Sequence, residues 1–148
     1  MGQEKVEAVI EGVISSELKL IQKSDRFEFN WREEIKHEVY RIRLKNSDEI
    51  LGLMSLIDWP KELRVEIHLL ESSKENAGTK KKYSSIAGCL IAHACGISFE
   101  RGYYGFVSLI SKTELEKHYR NEYGFEKGGV SLFSDTYNSK KLIEKYLL

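Results

Sequence analysis

Proline is almost missing from this chain: Pro60 is the single one in 148 residues. With 11 glycines and no repeat or low-complexity tract, nothing in the composition makes a Pro- or Gly-rich linker, so one domain over residues 1–148 is expected. Cysteine is as scarce. Cys89 and Cys95 lie six apart on a predicted helix, point in different directions and cannot pair with each other there. Reduced, buried thiols and a cytoplasmic setting are the expectation. No apolar run approaches a membrane span, and the first residues lack a signal-peptide core, so no membrane is expected. Met1-Gly2 begins like a myristoylation site, but Val6 stands where Ser or Thr is needed. An excess of one charge is missing too, with 23 Lys+Arg against 23 Asp+Glu. General nucleic-acid binders carry a basic surplus, so nucleic acid is not an expected partner.

What is present is a chain 41% hydrophobic and 31% charged, long enough to bury a real core. Val6, Val9, Ile10, Val13, Ile14, Leu18 and Ile21 have mixed spacing that suits one or two short helices. Phe27, Phe29 and Trp31 alternate with polar residues, as in a short strand or an extended arm with its aromatic side on the core. Val39, Ile42 and Leu44 lie in a β-rich run ending at the turn cluster 46–49. Residues 50–59 make a second strand stopped by Pro60, and 63–70 a third, with Leu63, Val65, Ile67 and Leu69 alternating against Arg64, Glu66 and His68. Short turns join these three into an antiparallel meander.

Residues 83–99 form the clearest helix, with Tyr83, Ile86, Ala87, Leu90, Ile91, Ala94 and Ile97 on one face. Gly102 marks the turn into a buried strand at 103–110. Ser111 is expected to cap a helix to about Glu122, with Glu114 completing a capping box. A further strand at 130–134 and a closing helix at 139–147 follow. Strand, helix, strand in this order reads as a right-handed crossover between parallel strands. The fold class is therefore α/β, an α+β mixed sheet: an antiparallel meander followed by a parallel β-α-β crossover. A ligand can enter where the central strands splay.

The segment 80–88, Lys-Lys-Lys-Tyr-Ser-Ser-Ile-Ala-Gly, is a basic turn of small residues opening into a helix after an apolar strand. Unpaired N–H groups at a helix start favour a phosphate or pyrophosphate. Ser84 and Ser85 can equally act as helix caps.

Residues 82–90 resemble the acetyl-CoA signature of the GNAT N-acetyltransferase superfamily: Gln or Arg, two residues, Gly, one residue, Gly or Ala. Lys82 stands at the basic position, Ser85 at the first Gly and Ala87 at the second. Tyr119, Gly124 and Phe125 downstream resemble the end of the family's second motif. The resemblance covers roughly residues 37–128 and implies a GNAT-like fold. It also implies acetyl-CoA as co-substrate, bound by Leu69, Leu70 and Glu71 along the pantetheine arm and by Lys82, Tyr83, Ser84, Ser85, Ile86, Ala87 and Gly88 around the diphosphate. Glu66 resembles the family's general base and Tyr119 its acid, although Tyr119 lies five residues before Gly124 where four is commoner, and Arg120 holds the strict position. An overwound helix end would bring Tyr119 into place.

The chemistry needs such a pair. A protonated amine must lose a proton before attacking a thioester, and the departing thiolate benefits from a donor. His68 and Glu71 stand behind Glu66 as base candidates. The expected function is transfer of an acetyl group to a primary amine, on a small molecule or a peptide, by direct attack. The alternative is an acyl-CoA-binding or interaction module of weak or no activity. His93 and His118 have no second ligand at zinc spacing, so no metal is expected. Exposed edge strands leave a homodimer open.

Overall fold

The computed structural model describes residues 7–76 and 85–148. Lys80, Lys81, Lys82, Tyr83 and Ser84, the centre of the basic turn, lie outside the described residues. Seven strands form one sheet: β1 (Ala8–Gly12), β2 (Glu38–Leu44), β3 (Ile50–Trp59), β4 (Arg64–Ser72), β5 (Val107–Leu109), β6 (Glu126–Gly128) and β7 (Ser131–Ser134). Their order is β1-β2-β3-β4-β5-β7-β6. The first four make the antiparallel meander, β4 and β5 run parallel, and β7 pairs antiparallel with both β5 and β6. Among the described residues four α-helices accompany the sheet: α1 (Ser15–Lys23), α2 (Ile86–Glu100), α3 (Thr113–Tyr123) and α4 (Thr136–Leu147). The mixed sheet with its single parallel pair is the class that the sequence pattern predicts.

Several boundaries differ from the sequence reading. Residues 8–12 form an edge strand rather than a helix. Their β-branched side chains suit a strand. Glu11 also clamps the guanidinium groups of Arg41 and Arg43 on the neighbouring strand, which holds its carboxyl down at about 2. The aromatic arm is no strand: Phe27 and Trp31 are buried, Phe29 is exposed, and a 3-10 turn runs Trp31–Lys36. Glu71 ties the arm to β4, accepting from the backbone N–H of Glu28 and Phe29 and from the Trp31 indole at 2.8 Å. β5 is only three residues long, because Tyr104 and Gly105 turn the chain through positive φ just before it. The N-cap of α3 is Lys112, not Ser111, with no side-chain cap bond.

One face of the sheet packs on α2, whose burial is not confined to one stripe. Leu90, Ile91, Ala92, Ala94 and Cys95 are all fully buried, because α4 covers the side that the sheet does not. Leu142 of α4 lies in this core. A second cluster, Leu18, Ile21, Phe27, Trp31, Val39 and Leu53, fills the opposite face under α1 and the 3-10 turn.

Gly52 connects packing to the site. A Cβ there would lie 2.7 Å from Ile86 Cγ2 and 3.2 Å from both Ile42 and Leu90. Only glycine lets the first turn of α2 settle on β3 at this distance. Gly52→Val is expected to cost about 1–3 kcal/mol by overpacking, read by denaturant unfolding. A variant as stable as the parent would contradict this packing.

Candidate active site

β4 and β5 pair through Val65–Val107, Glu66–Ser108 and Ile67–Leu109, and there the ladder stops. β4 runs on to Ser72, paired among the described residues only with β3. The sheet is thus forked beyond Ile67. The cause lies one residue further on. Ser55 pairs with Leu69 and Leu56 with Ile67, leaving His68 as an extra residue in β4. Such a bulge bends a strand and sharpens its twist, so pairing on the other edge ends. It also moves side chains across the sheet. Val65 and Ile67 pack in the α2 core, whereas Leu69 packs in the opposite cluster. The alternation read from sequence across residues 63–69 fails at this point, and Leu63 is an exposed cap before the strand.

The start of α2 belongs to the same core. Its first intrahelical bond to a described residue is Cys89 N–H to Ser85 O, 2.9 Å, so the amides of Ile86, Ala87 and Gly88 precede the helical ladder. Ser85 adopts φ 68°, ψ 15°, the left-handed conformation that favours glycine. The residue at the position resembling the family's first Gly therefore keeps a glycine-type backbone. Its side chain makes no cap bond, so the capping reading does not hold for Ser85. Gly88 is required by packing, since a Cβ would meet the Tyr146 ring at 2.4 Å.

The polar groups around the fork are unequal. Glu66 lies within the paired stretch; its carboxylate accepts from the Trp59 indole at 3.0 Å and faces Arg64 at 3.5 Å. The Glu71 carboxylate is committed to the aromatic arm. His68, the bulge residue, has its Nδ1 2.6 Å from Glu34 Oε1 while its side chain is 40% exposed. Glu34 is buried, and Ser55 Oγ donates to the same oxygen at 2.6 Å while accepting from Leu69 N–H. Sequence reading missed Glu34 and Ser55. Their signal was weak: Glu34 precedes His37 by three residues, and only the fold brings both to His68.

Tyr119 is half-buried in the α2 core cluster, which also holds Ala87 and Cys89, and its ring lies 6.1 Å from Tyr123. Burial raises its pKa, so the hydroxyl stays protonated. The end of α3 is underwound, not overwound. Gly124 N–H reaches back five residues to Tyr119 O, and Phe125 N–H donates to the same oxygen. A wide, π-type closing turn thus absorbs the extra residue between Tyr119 and Gly124. Burial also raises both thiols, Cys95 to about 11, which fits inert core cysteines. His93 packs edge-on against Tyr40, and burial lowers its pKa. Grooves of about 540 Å³ beside Arg32 and Ile35 and about 690 Å³ beside Arg120 and Glu126 also indent the surface. No helix among the described residues is long and apolar enough to cross a membrane.

No protein-family model matches this chain. No curated protein matches it either. Solved structures do. The spermidine/spermine N-acetyltransferase SpeG from Vibrio cholerae, solved in mutant forms, superposes with a TM-score of 0.67 at 14% identity, covering 91% of this chain and 97% of that one. A putative GNAT-family acetyltransferase from Desulfovibrio desulfuricans gives 0.65 at 8% identity, covering 87% and 99%. The AtaT toxin, solved as a mutant with the C-terminus of antitoxin AtaR and acetyl-CoA, gives 0.59 at 14% identity, covering 93% and 99%. With its meander, forked parallel pair and helix start beside the fork, this chain has the fold of the GNAT acetyltransferases.

Proposed function

We propose that the protein is an N-acetyltransferase that moves the acetyl group of acetyl-CoA to a primary amine. The observation that carries this reading is the fork: a β4 edge without a ladder partner among the described residues from His68 to Ser72, in a sheet whose core face holds the start of α2. An edge of unpaired main-chain groups suits the amides of a pantetheine arm. The amides of Ile86, Ala87 and Gly88 suit a diphosphate. Of Leu69, Leu70 and Glu71, which the resemblance places along the arm, the Leu69 N–H is already taken by Ser55 Oγ, so the assignment falls on Leu70 and on Glu71 by the resemblance. Lys82, Tyr83, Ser84 and Ser85 complete the diphosphate cradle by the sequence resemblance. Bound there, acetyl-CoA supplies an activated carbonyl.

The chain's own groups then handle protons. We assign the base to His68 rather than Glu66. Nδ1 lies 2.6 Å from Glu34 Oε1; with Nδ1–H donating to that carboxylate, Nε2 is left as the acceptor. Glu66 is held by Trp59 and Arg64 and remains the competing base. Tyr119, kept protonated, is assigned as donor to the departing thiolate. The solved neighbours engage unlike molecules: one is a spermidine/spermine N-acetyltransferase, and AtaT is solved in complex with acetyl-methionyl-tRNAfMet. The acceptor is therefore proposed only as a primary amine.

Thiol release from acetyl-CoA with a panel of amines tests this reading. His68→Ala is expected to lower kcat by about 10²-fold or more and Tyr119→Phe by about 10-fold or more, while Glu66→Gln changes it little. A collapse with Glu66→Gln alone would move the base to Glu66. Binding without release above background would favour the inactive module, and no calorimetric binding at millimolar acetyl-CoA would reject the enzyme.

A further inference from the structure

Glu34 lies in the 3-10 turn Trp31–Lys36, and His37 is its C-terminal cap. A 3-10 helix repeats every three residues, so positions 34 and 37 leave the same side of it. Both meet His68 at the bulge. The His37 and His68 rings stand edge to face, 5.1 Å between centroids, and Glu34 Oε1 is 2.6 Å from His68 Nδ1. One ligand atom from each of the three residues lies within 4.8 Å of the others. Glu34 is only 3% exposed, and no Arg or Lys among the described residues pairs with it. Its partners are the Ser55 hydroxyl and His68. A buried carboxylate requires compensating positive charge.

We propose that Glu34, His37 and His68 form a binding site for a divalent transition-metal ion of the zinc class. Two imidazoles and one carboxylate are a borderline N/O donor set that suits such ions and leaves further coordination positions open. Ligands at ordinary zinc bond lengths stand roughly 3.3 Å apart, so small side-chain rotations bring the three atoms onto one ion. The Ser55 hydroxyl already holds the carboxylate through Oε1, as outer partners of metal ligands do. The ion would sit at the mouth of the fork and occupy the imidazole to which we assign proton abstraction. The metal-loaded and proton-accepting forms thus exclude each other, a consequence that rests on the proposed function, whereas the site itself does not.

The test is titration of chelator-stripped protein with cobalt(II) chloride, followed by visible d–d absorption, and then with zinc chloride. The expected result is one equivalent of cobalt with ligand-field bands that zinc bleaches. His37→Ala and Glu34→Gln should each weaken binding at least about 10-fold, while His118→Ala, at an exposed histidine on α3, leaves it unchanged. Should Glu34→Gln fail to fold, His37→Ala carries the test with circular dichroism as the folding check. No saturable cobalt signal, an unchanged affinity in His37→Ala, or loss of binding in His118→Ala would overturn the proposal.

Discussion

One extra residue in β4 organises this molecule. Up to Ile67 the sheet is continuous across β4 and β5; at His68 the strand bulges and the ladder ends. Three results follow from that irregularity. β4 presents an edge that no strand among the described residues occupies. Leu69 changes sides and packs in the cluster that holds Phe27 and Trp31. His68, the bulge residue on the face opposite Ile67, meets Glu34 there. Ser55 stabilises the irregularity from β3, its hydroxyl joining Leu69 N–H to the buried Glu34 carboxylate. A local defect in pairing is thereby kept by a satisfied polar network, as buried polar groups require.

Two departures from the pattern that the sequence resembles coincide with unusual backbone. Ser85 carries a side chain where the resemblance has glycine, yet takes the left-handed conformation at the start of α2. L-residues adopt that conformation at a cost of about 1–2 kcal/mol. Packing of Ile86 against Gly52 and of Gly88 against Tyr146 holds α2 in place despite it. At the end of α3 the extra residue after Tyr119 is taken up by a wider turn that closes on Gly124.

Much of the fold was legible because it is periodic. β2, β3, β4, β7, α2 and α4 follow from apolar spacing, from Pro60 and from the cluster at 46–49. What was not legible depends on partners distant in sequence. β1 is a strand because Glu11 meets Arg41 and Arg43; read alone, its spacing suits a helix. β6 is Glu-Lys-Gly with no apolar signal, held by β7. The fork was expected from the order of elements, but the bulge that makes it was not, since a bulge leaves no mark on a strand's composition. Glu71 reads as a site residue and its carboxylate instead anchors an arm. Glu34 reads as one charge among many in a polar turn, and the fold buries it beside His68.

If the fork is the binding site, the free β4 edge and the α2 amides receive one ligand together. Titration of isotopically labelled protein with coenzyme A, followed by amide chemical-shift mapping, reads both groups at once. Ile86, Ala87 and Gly88 are expected to shift together with Leu69 to Ser72. Saturable binding that leaves either group unmoved, or shifts confined to the grooves at Arg32 or Arg120, would refute a shared ligand at the fork.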